Sequence, residues 1–583
     1  MNYYFTSKTK IYINKMGIFN FYSWYRKQFS KDIYKIQKSL SEFNPDIKID
    51  NLMIDCNGLF HTSAQKVFKY GNFKPPYKIE IKENKFTHQQ VFNDVCQTIE
   101  NILITVNPER RLILCVDGPA PASKQAQQRK RRFKAGAERA DGDKSFDSNK
   151  ISPGTEFMDH LCKYIDWFIR NRLTENPLWQ NIEIVYSSSS VPSEGEQKLT
   201  SFIRKYTKNN ESFIIHGLDA DLIMLSLLTH YPKFYVLRDD TFDRNNNFLL
   251  LDIGSVRKQL IEIMRWEPTE DSDYKFNEEW VINDFVFLCF LCGNDFLPHI
   301  PSLEIIEGGI EVILQVCKTV GSTNGHITRN TKGNVVFCKV ALGKFLEIIA
   351  DSEKELFEQK MKHRAQYFPD EILNSCSTFD GDKYVVDIDN YREKYHNKHF
   401  EGENLEQVCH DYLIGMQWIL SYYTKEVPSW RWYFPYHYAP SASMMVKYIS
   451  NFSRPRYHRG LPPSPFLQLM SILPPQSSSL LPKAMEKILS NTNLKKFCPE
   501  KLEVDLSGKK QEYQGIVMLP FTDYAVVKKV YEEYIEKVDT NELKRNIMGK
   551  SLIYKYNPAF NRIFYSYYGN IPECKVEFKV IDI

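Results

Sequence analysis

The feature that most constrains the fold is a series of short apolar segments, each followed closely by polar or acidic residues. These segments cover residues 52–54, 112–116, 182–186 and 213–215. They are rich in β-branched and large apolar residues without strict alternation, which is typical of strands buried on both faces of a sheet. Segments with helical periodicity separate them, at about 88–106, 155–173 and 194–208.

The alternation of strands and helices predicts an α/β fold, with a central, mostly parallel sheet flanked by helices. In sheets of this kind, ligands bind beyond the carboxyl ends of the strands. Several acidic residues of this chain follow those ends directly. The sequence therefore places the chemistry at that edge of the sheet.

Chain length and composition indicate several packed units. The chain has 583 residues, more than the roughly 150 that one ordinary core organises. Its 43% apolar and 25% charged residues exclude a mostly disordered chain. The formal charge is only +4, so a nucleic-acid site must come from local clustering of cations. No apolar run is long enough to span a membrane, and 12 sparse cysteines suggest reduced thiols and an intracellular protein.

Composition shifts suggest four parts of the chain. Residues 1–15 form a polar N-terminal extension, and 16–320 contain the α/β domain. Residues 321–404 are expected to be a linker with a charged helix. Residues 405–583 are rich in aromatic side chains and are expected to form a second, mostly helical region wrapped on the first.

Seven carboxylates stand near the strand ends or in the helices that follow: Asp55, Asp117, Glu194, Glu196, Asp219, Asp221 and Asp295. Negative charges held close together raise one another's pKa, so such a cluster calls for a cation. Mg²⁺ or Mn²⁺ prefers oxygen ligands, and two such ions can hydrolyse a phosphodiester. The alternative for any one of these residues is a helix N-cap.

A basic segment follows Asp117. Between Lys124 and Lys134 there are six cations and no acid. On a helix, most of the set Lys124, Gln128, Arg131 and Arg132 shares one face. Because the Arg fork suits phosphate oxygens, this face could hold a terminal phosphate beside the acids. A solvated charged face and a nuclear-localisation peptide are the alternatives.

The chain resembles the XRN family of 5′→3′ exoribonucleases, part of the wider group of metal-dependent 5′ nucleases with a PIN/FEN-like core. Matching motifs run in order from residue 16 to about 560. They include MGIFNFYSWY at 16, LMIDCNGLFH at 52, VDGPAPASKQAQQRKRRFK at 116, VPSEGEQKL at 191, IHGLDADLIML at 215, DFVFLCFLCGNDFLPHIPSLEI at 284, GMQWILSYY at 415 and PSWRWYFPYHYAP at 428.

The resemblance implies roles for individual residues. The seven carboxylates match the family's metal site, expected to hold two Mg²⁺ or Mn²⁺ ions. Lys124, Gln128, Arg131 and Arg132 match its pocket for a 5′-monophosphate. His61 matches a residue that stacks on the 5′ base, and Trp432, preferred over Trp430, matches its partner. Gly17 is expected near the active site.

The implied function is processive 5′→3′ hydrolysis of 5′-monophosphorylated single-stranded RNA to nucleoside monophosphates, in RNA decay. The chain is expected to be a monomer, and its protein partners are open. Three departures stand out: the extra residues 1–15, the missing zinc knuckle between 252 and 280, and the missing long C-terminal extension. The missing knuckle favours a cytoplasmic over a nuclear protein.

Two rival functions remain open from the sequence. A structure-specific 5′ flap or DNA exonuclease would share the acids, but no helix-hairpin-helix pattern follows Asp295. A non-catalytic RNA-binding scaffold would be expected to have lost metal ligands, and all seven acids are present.

Overall fold

The computed structural model describes residues 20–77, 79, 81–138, 145–208, 210–240, 247–270 and 272–583. The expectations for residues 1–15 and for Gly17 lie outside these ranges. The strands are β1 Ile33–Ile36, β2 Asn51–Asp55, β3 Arg111–Cys115, β4 Glu183–Ser187, β5 Phe213–His216, β6 Phe234–Asp239, β7 Phe248–Asp252, β8 Thr328–Thr331, β9 Asn334–Phe337, β10 Ser377–Phe379, β11 Tyr384–Val386, β12 Val504–Asp505, β13 Ile516–Val517, β14 Ser551–Tyr556, β15 Arg562–Phe564, β16 Ile571–Cys574 and β17 Val576–Ile581.

The helices follow the same chain order. They are α1 Phe21–Gln28, α2 Leu40–Phe43, α3 Cys56–Phe68, α4 Lys85–Val106, α5 Ala122–Ala137, α6 Glu156–Glu175, α7 Pro177–Gln180, α8 Gly195–Tyr206, α9 Asp221–Leu228, α10 Ile253–Met264, α11 Glu278–Cys289, α12 Gly309–Asn324, α13 Lys339–Lys362, α14 Glu371–Ser375, α15 Ile388–His399, α16 Leu405–Thr424, α17 Ala442–Ile449, α18 Pro465–Ile472, α19 Ile488–Asn491, α20 Tyr524–Ile535 and α21 Thr540–Leu543.

In the described ranges, nine strands form one large sheet in the order β1-β7-β6-β5-β2-β3-β4-β14-β17. The five central strands, from β6 to β4, are parallel. At one edge β7 pairs antiparallel with β6, and β1 pairs antiparallel with β7. At the other edge β14 pairs antiparallel with β4, and β17 pairs antiparallel with β14. The predicted α/β fold with a mostly parallel sheet is confirmed.

The central strands are buried on both faces, as their apolar runs predicted. On β2, Leu52 and Ile54 belong to the core on one face of the sheet. Met53, between them, belongs to the core on the other face. All three side chains have no exposed surface. This double burial explains why these strands do not alternate between apolar and polar residues.

The aromatic-rich region packs on one face of the sheet. Helix α16 carries Trp418 and Tyr422, which are fully buried in the same core as Met53 of β2. On that helix Tyr412 donates a hydrogen bond of 2.9 Å to the Pro298 carbonyl oxygen. The expectation of a helical region wrapped on the α/β core is confirmed for α16 and α17.

The C-terminal part of that region also completes the sheet. Strand β14 pairs with β4, and β17 pairs with β14. The Tyr554 hydroxyl donates to Asp166 on α6, so β14 is also fastened to a helix that covers the sheet. These strands differ from the mostly helical structure expected for residues 405–583.

Residues 321–404, where the sequence indicated a linker, are a packed part of the structure. They hold the end of α12, the β8–β9 and β10–β11 hairpins, and helices α13 to α15. Helix α13 buries Phe345, Leu346 and Ile349 in the core. The expected charged helix is therefore present, and its apolar face joins the first domain's core.

Candidate active site

The carboxyl ends of neighbouring parallel strands bring several of the predicted acids to one edge of the sheet. Asp55 is the last residue of β2, and Asp117 comes two residues after β3. Asp219 and Asp221 follow β5, with Asp221 opening helix α9. Glu194 precedes the first residue of α8, the helix that follows β4. Because β5, β2, β3 and β4 are adjacent, their ends converge.

Gly195 lets the N-terminus of α8 approach this edge closely. A Cβ atom on Gly195 would lie 2.6 Å from Asp55 Oδ1 and 3.5 Å from Asp117 Oδ1. The Gly195 amide donates a hydrogen bond of 2.7 Å to Asp117 Oδ1. The glycine of the Glu-Gly-Glu motif is therefore needed so that Glu194 and Glu196 can stand beside the strand-end acids.

Asp117 is held by a residue that sequence analysis missed. Asn57 donates from Nδ2 to Asp117 Oδ2 at 2.9 Å, and its Oδ1 accepts from the Asp117 amide at 2.9 Å. Asn57 lies in the first turn of α3, two residues after Asp55. An amide residue two positions after a strand-end acid is the sequence signal that could have identified it.

Burial and mutual repulsion shift the pKa values of the acids in this cluster. Burial, followed by the charges of Asp117 and Asp219, raises the pKa of Asp55 well above its usual value. Burial and then Asp219 do the same to the pKa of Asp221. Burial and then the charge of Asp221 raise the pKa of Glu196. Burial raises the pKa of Asp219 to about 6. A cation placed among these carboxyl groups would favour their ionised forms and so lower their raised pKa values.

The charge that balances this acidic cluster in the structure is the ammonium of Lys124. Its Nζ pairs with Glu194 Oε1 and lies 2.8 Å from Asp295 Oδ2. Burial alone would lower the pKa of Lys124, but the carboxylates around it, Asp295 first, raise it well above its usual value. Lys124, expected at a phosphate, thus contacts the acids instead.

By their chemistry, though not by their present arrangement, the carboxylate oxygens of the cluster suit a hard divalent ion. Asp55 Oδ1 and Asp221 Oδ1 are buried and accept no hydrogen bond, which leaves two carboxylate oxygens unsatisfied inside the cluster. Oxygen ligands of this type suit Mg²⁺ or Mn²⁺. In the arrangement seen, no three His, Cys, Asp or Glu side chains of the described chain are placed to ligate one ion together.

Helix α5 presents the rest of the predicted basic face near the cluster. Arg132 is buried and donates from Nη2 to Ser152 Oγ at 2.8 Å, while its Nη1 has no hydrogen-bond partner. Gln128 is also buried, and its Oε1 accepts no hydrogen bond. Burial, followed by the charge of Arg131, lowers the pKa of Arg132 to about 9. The unpartnered Nη1 donor of Arg132 suits an anion on this helix face.

The other cations of this segment face away from the acids. Arg129 donates to the carbonyl oxygens of Ser471 and Phe497, and its guanidinium lies 4.2 Å from the Phe133 ring. Lys130 lies 5.6 Å from the Phe521 ring. These two side chains attach α5 to the second region. The cations of α5 therefore divide into some that pack this helix against the second region and others that lie near the acidic cluster.

His61 lies beside the basic face. Burial, followed by the charges of Arg131 and Arg132, lowers the pKa of His61 to about 3, so its ring is neutral at physiological pH. Trp432 is half-buried and stacks on Trp418 at 5.1 Å. Trp430 is buried, and its carbonyl oxygen accepts from the first amide of α5. Trp430 is thus a packed residue, whereas base stacking by Trp432 stays a prediction.

Lys198 is a second residue that sequence analysis missed. It is 1% exposed, and its Nζ donates to the carbonyl oxygens of Val116 at 2.6 Å and Ser188 at 3.0 Å. It therefore ties the end of β3, just before Asp117, to the loop after β4. Burial lowers the pKa of Lys198 to about 8.

Comparison with protein families decides where this chain belongs. A family model described as "XRN 5'-3' exonuclease N-terminus" matches residues 16–240. A second, described as "Xrn1 helical domain", matches residues 275–387 and 388–579. The chain belongs to the XRN family. The acidic cluster of this XRN chain combines Asp55, Asp117 and Glu194, which lie within the first match, with Asp295, which lies within the second.

Curated XRN relatives align over most of the chain. The 5'-3' exoribonuclease 1 of Saccharomyces cerevisiae is 28% identical, and the alignment covers 90% of this chain and 44% of that protein. The 5'-3' exoribonuclease 2 of Debaryomyces hansenii is 27% identical over 97% of this chain and 74% of that protein. Human 5'-3' exoribonuclease 1 is 27% identical over 97% of this chain and 37% of that protein. The chain thus spans less than half the length of either exoribonuclease 1.

Among solved structures, the XRN chain is similar to the catalytic core of Rad2 in complex with DNA substrate. The match has 15% sequence identity and a TM-score of 0.29, and it covers 52% of this chain and 70% of that one. At this TM-score the likeness supports no argument about the site. Within the described residues, every helix is too short or too polar to cross a membrane.

Proposed function

We propose that this XRN chain is a metal-dependent, processive 5′→3′ exoribonuclease that degrades 5′-monophosphorylated RNA to nucleoside 5′-monophosphates. The observation that carries the proposal is the convergence of the acidic cluster with the basic face of α5. Lys124 links the two, because it lies on α5 and pairs with both Glu194 and Asp295. The XRN relatives, each named a 5'-3' exoribonuclease, support it.

In this proposal the basic face binds the 5′-phosphate. Arg131 and Arg132 would donate to the phosphate oxygens, since a guanidinium fork suits them. The Nη1 of Arg132 is a buried donor without a protein acceptor to compete for it, and the buried Gln128 could add its amide Nε2 as a neutral donor. A pocket walled by buried side chains would exclude capped and triphosphorylated ends by size.

The acidic cluster would hold two Mg²⁺ or Mn²⁺ ions through the seven carboxylates. When bound, such ions supply an activated water and stabilisation of the leaving oxygen. The protein's own part is to orient the carboxylates: Asn57 and the Gly195 amide fix Asp117, and the α8 N-terminus brings Glu194 and Glu196 beside Asp55. Binding a cation also keeps ionised those acids that burial tends to protonate.

Base stacking would explain indifference to sequence. The neutral ring of His61, beside the phosphate-binding arginines, and the ring of Trp432 would stack on the first bases. Stacking contributes about 1–3 kcal/mol per base for any base. A monomer acting in cytoplasmic mRNA decay is the corresponding proposal for its cellular role.

A turnover assay tests the proposal against its rivals. Wild-type protein is compared on 5′-monophosphate RNA, 5′-triphosphate RNA and 5′-flap DNA, with Mg²⁺ and with chelator. Release of nucleoside monophosphates from the first substrate alone, and only with Mg²⁺, is the expected result. Cleavage of the flap DNA would indicate a DNA nuclease, and RNA binding without turnover would indicate a scaffold.

The variant Asp219→Ala identifies the catalytic cluster in the same assay. It should abolish cleavage while RNA binding stays within about threefold of wild type, because the phosphate-binding face is intact. Turnover by this variant at the wild-type rate would contradict the assignment of the metal site.

A further inference from the structure

In the acidic cluster, Glu194 is contacted by side chains from both the α/β domain and the helical region. The Tyr422 hydroxyl, on α16, donates a hydrogen bond to Glu194 Oε2. The other oxygen, Oε1, pairs with Lys124 on α5. The carboxylate therefore has one partner from the α/β domain and one from the helical region, and its rotamer is set by the two together.

The Tyr422 ring is itself held on two sides. It stacks on the Trp418 ring with centroids 4.9 Å apart and planes at 26°. The Phe296 ring meets it edge-on, with centroids 5.5 Å apart. The Trp418 Nε1 donates to the Ser429 carbonyl oxygen at 3.1 Å, which fixes the stack against the loop that follows α16. Tyr422 therefore has little freedom to move its hydroxyl.

The same stack reaches two other parts of the site. Trp418 also stacks on Trp432, the residue proposed to contact the base. Phe296 directly follows Asp295, and its ring lies 5.9 Å from Lys124 Nζ. The stack Trp432–Trp418–Tyr422, with Phe296 at its side, thus runs from the proposed base contact to Glu194 and Asp295.

We propose that Tyr422 is a positioning residue, which orients Glu194 for the divalent ion and makes the acidic cluster depend on the helical region. The inference rests on the proposed function, since it assigns a role within that site. The competing explanation is packing alone, in which the hydroxyl only satisfies a buried oxygen and contributes to stability.

The variant Tyr422→Phe separates these explanations because it keeps the ring and removes one oxygen. Tyr395→Phe is the matched control: Tyr395 is buried on α15, and its hydroxyl donates to the Ala439 carbonyl oxygen at 3.0 Å, outside the acidic cluster. Both variants lose one buried tyrosine hydrogen bond, so both are expected to lower the melting temperature by similar amounts.

Three measurements are compared between the variants and wild type. For Tyr422→Phe we expect kcat on 5′-monophosphate RNA to fall about tenfold or more, with KM within twofold. We expect Mn²⁺ binding, followed by electron paramagnetic resonance without RNA, to weaken at least threefold. RNA binding in chelator should be unchanged. Tyr395→Phe should match wild type in all three.

Equal kcat and equal Mn²⁺ affinity in Tyr422→Phe and Tyr395→Phe would overturn the proposal in favour of packing. A wild-type protein that binds Mn²⁺ but turns over no RNA would instead defeat the proposed exoribonuclease function, and the Mn²⁺ comparison would still decide the role of Tyr422. A wild-type protein that binds no Mn²⁺ would overturn both.

Discussion

The ammonium of Lys124 lies 2.8 Å from Asp295 Oδ2, although 171 residues separate the two in the chain. Both side chains are almost entirely buried. Lys124 also pairs with Glu194, so one cation holds together acids from two distant segments. A buried cation of this kind cannot be removed without leaving carboxylates uncompensated.

Replacement of Lys124 should therefore destabilise the metal-free protein. For Lys124→Gln we expect the free energy of unfolding to fall by about 3 kcal/mol, because Glu194 and Asp295 lose their partner. Added Mg²⁺ should recover part of the loss. The control is Lys38→Gln, whose exposed pair with Glu42 at 3.8 Å is expected to contribute at most about 0.5 kcal/mol. Urea unfolding with and without Mg²⁺ measures both; equal losses in the two variants would contradict the buried role of Lys124.

The specificity for the 5′ end should depend on Arg131. Arg131→Ala removes a guanidinium beside His61 and Arg132, and we expect the preference for 5′-monophosphate over 5′-hydroxyl RNA to fall at least tenfold in kcat/KM. Lys134→Ala, one turn further along α5 and directed toward the Glu512 carbonyl oxygen, should keep the preference. An unchanged preference in Arg131→Ala would place the phosphate pocket elsewhere.

Gly195 should tolerate no side chain. In Gly195→Ala the new Cβ would lie 2.6 Å from Asp55 Oδ1, so either α8 or Asp55 must shift. We expect cleavage to fall at least a hundredfold. Gly343→Ala on α13 is the control: its Cβ would have only an ordinary contact of 3.5 Å with Ile449, and it should be neutral or stabilise by up to about 1 kcal/mol. Wild-type turnover in Gly195→Ala would show that the close approach is not needed.

Much of this site could be predicted from the sequence, because its signals are local. An apolar run followed by an acid identified β2 with Asp55, and a dense run of cations identified α5. The residues that were missed act across long separations. Tyr422 reaches Glu194 over 228 residues, and the side chain of Lys198 reaches the Val116 carbonyl oxygen over 82 residues. No local pattern marks a buried tyrosine or lysine as a partner of the site, and nothing within 551–556 indicates that β14 joins β4.

The stability of the metal-free protein should depend on pH through Asp219. Burial raises the pKa of Asp219 from 3.8 to about 6. Between these two pH values the carboxyl of Asp219 is still protonated in the folded chain but ionised in the unfolded chain. Its contribution to the free energy of unfolding therefore falls as pH rises through this window. Asp219→Asn removes the effect, and the melting temperature of the variant minus that of wild type should increase from about pH 4 to about pH 7. A difference that is constant over this range would contradict the raised pKa.

The central claim is that the seven carboxylates form one cation site next to the basic face of α5. A crystal structure with Mn²⁺ and a 5′-monophosphate analogue, with Mn²⁺ located by anomalous scattering, tests it most directly. We predict Mn²⁺ within ligand distance of Asp55 and Asp221, whose Oδ1 atoms lack partners, and phosphate oxygens on Arg131 and Arg132. Anomalous peaks away from these acids, or a phosphate bound at another surface, would contradict the account.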